Sequence, residues 1–251
     1  MAARTIGKPD LNRLRVSFGK DGRLAFLGHL EVINTIERSV RRAGLPFSVV
    51  NGFARRMRVQ FSQALPVGAA SRCEYYDLYL TERVDAREAL ERLRAATPSA
   101  LAPTAAAYVD GWLPALEAWL TRARWEARLF GSGEGFGAVR LDEALSELRE
   151  VGSIDFMRGD KPRHLDLGPT LVGWDARMGE DEGGWRTIDL VLETRSSNLG
   201  ALRPAVLLDA AFAREPLRAA TLDSARVLRV GQWHEAEGGT MVDPYDEGLL
   251  V

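Results

Sequence analysis

The 251-residue sequence predicts an α+β protein with mainly antiparallel sheets, helices packed on one face, and the whole plan built twice in tandem. Three observations predict it. Short segments alternate apolar and polar residues at period two, and between them lie segments with apolar residues three and four apart. The order over residues 11–109 is strand, helix, two or three strands, helix, strand, which is the order of a ferredoxin-like sandwich. The same order returns after residue 121, in element type only and without residue-level self-similarity. The domains expected are 11–112 and 122–247, both ferredoxin-like, joined by a helix at 113–121.

The elements follow in chain order. Leu14, Val16 and Phe18 alternate with Arg15 and Ser17, the pattern of a half-buried strand. Lys20-Asp21-Gly22-Arg23 reads as a turn, and Leu24 to Leu27 as further strand. A helix from Leu30 to Ala43 carries Leu30, Ile33, Ile36 and Val40 on one stripe. Gly28 stands at its N-cap with Glu31 three residues on, the position of a capping-box acid. Gly44 suits a left-handed C-terminal cap, and Pro46 prevents continuation. Leu45 to Asn51, Met57 to Phe61 and Glu74 to Leu80 read as strands, with an Asn51-Gly52 turn signal between the first two. Asp85 caps a helix from Ala86 to Ala95, and Leu101 to Val109 is the last strand of the first domain. Asp110 to Leu120 is expected to be helical, with Trp112, Leu116 and Trp119 covering a seam. In the second half Arg124 to Phe130, Ile154 to Met157, Val172 to Met178, Thr187 to Thr194 and Ala225 to Trp233 read as strands. Asp142 to Val151 reads as a helix, and so does a segment opening at Pro204.

Composition removes several classes of function. Apolar residues are 46% and charged residues 27%, as in ordinary globular domains. No apolar run approaches the roughly 20 residues a bilayer span needs. The N-terminal residues have no apolar core, so a secretory signal is not expected and the cytoplasm is the default location. The single cysteine, Cys73, cannot close an internal disulfide or hold an iron–sulfur cluster, and only three histidines accompany it. No metal and no cofactor are expected. The loop Gly131-Ser-Gly-Glu-Gly-Phe-Gly137 lacks the spacing of a nucleotide fingerprint.

The net charge of −2 hides an asymmetry. Residues 1–60 hold 12 basic and 4 acidic residues, and the rest hold 21 and 31. A basic N-terminal part attracts phosphate or an acidic partner. Its candidates for nucleic-acid or partner binding are Asn34, Arg38, Arg41 and Arg42 on the outer helix face, with Arg55, Arg56 and Arg58 on the turn that follows. The alternative for each group is a solvated arginine surface. His29 opens the helix, where main-chain amides favour anions. Lys161, Arg163, His164 and Asp166 crowd a polar turn running from Arg158, and Arg203 stands electrostatically misplaced at a helix start. His29, Lys161, Arg163 and Arg203 are therefore the anion-binding candidates. His29 and Asp166 are the weak candidates for catalysis. No Ser-His-Asp order, zinc motif or pair of catalytic carboxylates stands out.

Phe26 to Phe53, FLGHLEVINTIERSVRRAGLPFSVVNGF, and Gln63 to Leu80, QALPVGAASRCEYYDLYL, resemble the radical-SAM-linked proteins of the DUF2344 domain family. The second half adds PRHLDL at Pro162 to Leu167, ALRP at Ala201 to Pro204, and the RVGQW and DPYD segments between Arg229 and Asp246. The resemblance implies a partner more than a reaction. The family's members look like companions of a B12-binding radical SAM protein and occur near a ribonuclease of the E/G type. Cluster chemistry would then belong to the partner, in keeping with the lone cysteine. Two departures stand out. Gly28 takes the place of the family's usual Ser, and Ala54-Arg55-Arg56-Met57 replaces Asn-Pro-His-Pro. His29, Glu31 and Arg203 are the positions that match.

The function expected is that of an accessory protein of a B12-binding radical SAM protein, more a binding module than an enzyme. It would bind RNA or that partner through the basic helix face, away from any membrane. The alternatives are an RNA-modifying or RNA-processing enzyme with a cleft between the two domains near His29, Lys161, Arg163 and Asp166, and a protein–protein scaffold without nucleic acid.

Overall fold

In a computed structural model of the chain, residues 11–50, 55–197 and 200–251 are described. The protein is α+β, and its sheets are mainly antiparallel. It divides into two compact units. The first holds the described residues up to Ala64, with Glu74–Trp119 and Pro244–Val251; the second holds Leu65–Cys73 and Leu120–Asp243. The main division falls at residues 119 and 120, while the short segments 65–73 and 244–251 cross it.

The first unit contains strands β1 (Asn12–Lys20), β2 (Val59–Phe61), the 74–80 part of β3 (Ala70–Leu80) and β4 (Pro103–Tyr108). Their sheet order is β4-β1-β3-β2, with β1–β4 and β2–β3 antiparallel. Helices α1 (His29–Arg42) and α2 (Ala86–Ala96) pack a core of Val16, Phe18, Ile36, Val40, Leu78 and Leu93. A single turn, α3 (Leu116–Trp119), is all that forms of the helix expected over 110–120. Leu116 and Trp119 are buried, but Trp112 is 88% exposed and covers nothing.

The α1 caps follow the sequence. Glu31 Oε2 accepts the Gly28 N–H at 2.7 Å, and Gly44 has φ +65° just past the helix end. Leu24 to Leu27 is not a strand. Asp21 Oδ1 accepts from Gly22 N, and the chain coils into a 3-10 helix over Gly22–Phe26. Leu45 to Asn51 makes only isolated bridges, Phe47 to Leu80 and Val49 to Met57, and residues 51–54 lie outside the described residues.

β1 departs from its sequence pattern. Its apolar face is buried as expected, but Arg13, Arg15 and Ser17 on the polar face are buried as well. The segment Leu113-Pro114, α3 and the C-terminal stretch from Pro244 cover that face. Arg13 donates to the Leu113 and Pro114 carbonyls, Arg15 donates to the Pro244 carbonyl, and both guanidiniums bind Asp77 at 2.8 and 2.9 Å. A buried guanidinium is tolerated only when its protons find acceptors, and here main chain and carboxylate supply them.

The second unit contains β5 (Arg122–Gly133), α4 (Ala138–Val151), β6 (Ser153–Arg158), β7 (Lys161–Asp166), β8 (Leu171–Met178), β9 (Arg186–Ser197), β10 (Gly200–Ala201), α5 (Pro204–Phe212), β11 (Ala220–Glu235) and β12 (Met241–Val242). β11 pairs with β5, β5 with β9, and β9 with β8, all antiparallel. β10 extends β9 and β12 extends β11. The Ala70–Ser71 end of β3 runs parallel to β11. Taking β5, β8, β9 and β11 as first to fourth, the order is again 4-1-3-2. Leu141, Leu145 and Leu148 of α4 and Leu207 and Leu208 of α5 pack a core with Leu129, Ile188, Leu190 and Leu192. β6 and β7 form a separate two-stranded sheet. The polar segment 158–166 is therefore mostly strand, with only Gly159 and Asp160 as its turn.

Candidate functional site

The helix α1 turns Val32, Ile36 and Val40 into the core and leaves Asn34, Arg38, Arg41 and Arg42 exposed on the other side. Arg41 pairs with Glu37 at 3.3 Å and lies 5.9 Å over the Phe47 ring. Arg42 reaches the Ser39 hydroxyl at 3.3 Å. Arg38 makes no ion pair with any described residue.

Main-chain bonds tie the second basic segment to the chain that follows α1. Val50 N donates to Arg56 O and Arg58 N to Ser48 O, both at 2.8 Å, so 56–58 runs against 48–50. Phe47, under Arg41, adjoins Ser48 in that ladder. Arg55 and Arg56 are exposed and meet no described carboxylate, and Arg58 lies 6.0 Å over the Tyr79 ring. Arg58 lies on the Tyr79 side of its strand, while Met57, next to it, turns to the core that α1 covers, so the two basic stretches are separate arginine-rich patches of the first unit. Glu37 is the carboxylate that pairs there among the described residues.

His29 is placed differently. Its ring meets Phe61 edge-on at 6.0 Å. Burial pushes the imidazole below its usual value; Glu74 and Glu117 oppose this and Lys20 reinforces it. Lys20 is buried and donates to the Leu27 carbonyl at 2.8 Å, and buried Glu74 accepts from Ser62 Oγ at 3.4 Å. With Glu31 occupying the cap and two glutamates nearby, the electrostatics at His29 favour a neutral or cationic neighbour over an anion. Neither Lys20 nor Glu74 stands out from sequence, although a charge at an inward strand position is the signal that marks them. Cys73 is buried, its thiol 3.5 Å from the Arg229 carbonyl.

In the second unit Lys161, Arg163 and Asp166 lie on β7, and Arg203 caps α5. Asp166 and Asp155 flank His164 at 3.3 and 2.7 Å, one on each ring nitrogen. That geometry holds a histidinium and does not converge on a metal. Among the described residues no group of three or more His, Cys, Asp or Glu side chains could hold a metal ion, and no helix is long and apolar enough to cross a membrane. His29 and Asp166 belong to different units.

The model of the DUF2344 family, described as an uncharacterised protein conserved in bacteria, matches residues 13–204. The chain belongs to that family. No functionally curated protein matches it. Among solved structures, one chain in a crystal structure of a Cbf5-Nop10-Gar1 complex is similar at 9% identity and TM-score 0.45. The match covers 89% of this chain and 50% of that one, so the protein spans about half the length of that neighbour. An unknown protein from Galdieria sulphuraria is similar at 9% identity and TM-score 0.25, covering 88% of this chain and 100% of that one.

Proposed function

We propose that the protein is an accessory RNA-binding module that serves a B12-binding radical SAM partner, the partner its family resemblance implies. We further read both units as ferredoxin-like, a reading supported by the 4-1-3-2 strand order in each and by the position of the β6–β7 hairpin as an insertion. The observation that carries the functional reading is the exposure of Arg38 and Arg42 on the outer face of α1, and of Arg55 and Arg56 on the segment after it, without a described carboxylate partner, in a chain that pairs many of its other arginines. Such patches suit a phosphate backbone.

The test is fluorescence anisotropy with a single-stranded 20-nucleotide RNA over a salt series. Removing two phosphate contacts by Arg38→Gln with Arg42→Gln should flatten the log–log salt slope by about 1.4. An RNA affinity that is undetectable even at low salt would overturn RNA binding, and capture of a radical SAM protein by the wild type alone would then identify the surface as a protein interface.

A catalytic reading has one specific observation in its favour, the Lys20, His29 and Glu74 cluster inside the first unit. A histidine whose protonation is shifted by burial and by neighbouring charges marks a candidate acid–base site. His29→Gln leaving an RNA-modification readout intact would remove that reading.

A further inference from the structure

The β6–β7 hairpin sorts its charges by face. Successive strand residues point to opposite sides, and residues directly across the ladder share a side. Ile154 pairs with Leu165, and both are buried in the core of the second unit. Phe156 with Arg163 and Arg158 with Lys161 are the next pairs on that same face. Phe156 packs against the core, which confirms the parity. Asp155 with His164 faces the other way, as does Asp166, and both carboxylates are spent on the histidine at 2.7 and 3.3 Å. The core-side face of the hairpin beyond Phe156 is therefore lined by cations alone.

The pair Arg158–Lys161 closes the hairpin around Gly159, whose φ of +60° suits the tight turn. Like charges directly opposite each other in a ladder destabilise it. A fourth cation joins them. Arg203 sits where α5, which packs beside β6, begins; its main chain is pinned between buried Leu202 and Pro204. Burial and then the Arg158 charge both depress its guanidinium. None of these four side chains makes a hydrogen bond or an ion pair with another described residue. A fold that puts three arginines and a lysine together from three elements, spends Asp155 and Asp166 on His164, and leaves the exposed turn residue Asp160 without an ion pair to any of the four, holds a repulsion that a multivalent anion relieves. A carboxylate has two oxygens and satisfies one guanidinium; a phosphoryl group presents more oxygens and more charge to several.

We propose that Arg158, Lys161, Arg163 and Arg203 form an anion site in the second unit that takes a phosphoryl group, supplied by a small phosphorylated ligand or by an RNA backbone. The site is independent of the arginine patches on the first unit.

The experiment is calorimetric titration of the full chain with pyrophosphate and, separately, with an oligouridine decamer. Wild type is compared with Arg158→Gln/Lys161→Gln, a change of two exposed side chains whose folding is checked by circular dichroism, and with Arg38→Gln/Arg42→Gln. Pyrophosphate binding should weaken about tenfold or more in the hairpin variant, through loss of charge-assisted contacts, and stay unchanged in the helix variant. Silence with pyrophosphate but a tenfold loss with the decamer in the hairpin variant would assign the phosphate to RNA. Binding of neither ligand at low salt, or equal binding by wild type and hairpin variant, overturns the proposal. Without ligand, the hairpin variant should melt about 1–3 °C higher because a repulsion has been removed. A lower melting temperature would mean that the cations are already neutralised and would count against the site.

Discussion

Arginine plays opposite parts in the two units. In the first, Arg13 and Arg15 are fully buried on β1, share Asp77, and hold the carbonyls of Leu113, Pro114 and Pro244. In the second, Arg122 and Arg195 pair with Glu193 and Glu235, and Arg128 with Asp189 and Glu182, on a face that water reaches. The strand order is the same, so fold alone does not dictate this. What differs is cover. Once the stretch from Pro244 and the turn at Leu113 lie over β1, every guanidinium proton needs a fixed acceptor, and the arginines become the clasp that fixes those segments. Tyr245 completes the cover, its hydroxyl 3.2 Å from the Ala105 carbonyl and pushed up to about 12 mainly by burial. On the second sheet Arg122, Arg128 and Arg195 have water as an alternative partner and their pairs are replaceable, while Arg229 is the exception, buried over the Trp125 ring.

The largest expected effect follows from that contrast. Asp77→Asn leaves two buried guanidiniums without their shared countercharge, and should cost about 3–5 kcal/mol in urea unfolding. A loss below about 1 kcal/mol would mean that the main-chain carbonyls suffice, and the distinction between the units would fail. In the second unit Glu235→Gln weakens the pairs to Arg195 and Arg122. With the Arg195 side chain 38% exposed, screening limits the cost to about 1 kcal/mol or less. A loss matching that of Asp77→Asn would show the exposed network to be equally indispensable.

The parts of this arrangement differ in how far the sequence announces them. The α1 cap at Gly28–Glu31 and Gly44 are local features, set by spacing and by backbone freedom, and they read directly, but the stripe reads only in part: Ile36 and Val40 are buried, Leu30 is 73% exposed, and Val32, outside the expected stripe, takes an inward place. The exposed arginines of α1 also read directly, because the apolar stripe fixes which face is left over. The polar side of β1 reads wrongly. Alternation of Leu14, Arg15, Val16 and Ser17 signals one wet face, yet the cover comes from residues some 100 and 230 positions away, beyond any local pattern. β7 hides for a related reason. Lys161, Pro162, Arg163 and His164 carry no apolar period, because the hairpin buries little beyond Leu165. The cationic face is legible only once the register pairs Arg158 with Lys161 and separates both from Asp155 and Asp166. Lys20 and Glu74 stay hidden because their importance lies in shared burial near His29, which the sequence does not display.

The smallest effects belong to two histidines whose surroundings push them apart. His29, in the first unit, is held below its ordinary value chiefly by burial. The unfolded chain takes up that proton near pH 6.5 before the folded protein does, so the stability His29 contributes is present above about 6.5 and falls as pH drops toward the lower folded value. His164, in the second unit, is held above its ordinary value, first by the hydrogen bond to Asp155 and then by the charges of Asp155 and Asp166. Here the folded protein takes the proton first, so the contribution is complete below about 6.5 and is lost as pH rises through the raised value. Imidazole resonances followed by NMR should therefore show His29 titrating at lower pH than His164. His29→Gln should flatten the acid side of the stability profile, and His164→Gln the neutral side. If both rings titrate together near 6.5, neither the buried Lys20 and Glu74 setting nor the aspartate pair perturbs its histidine, and the acid–base reading of the first unit falls with them.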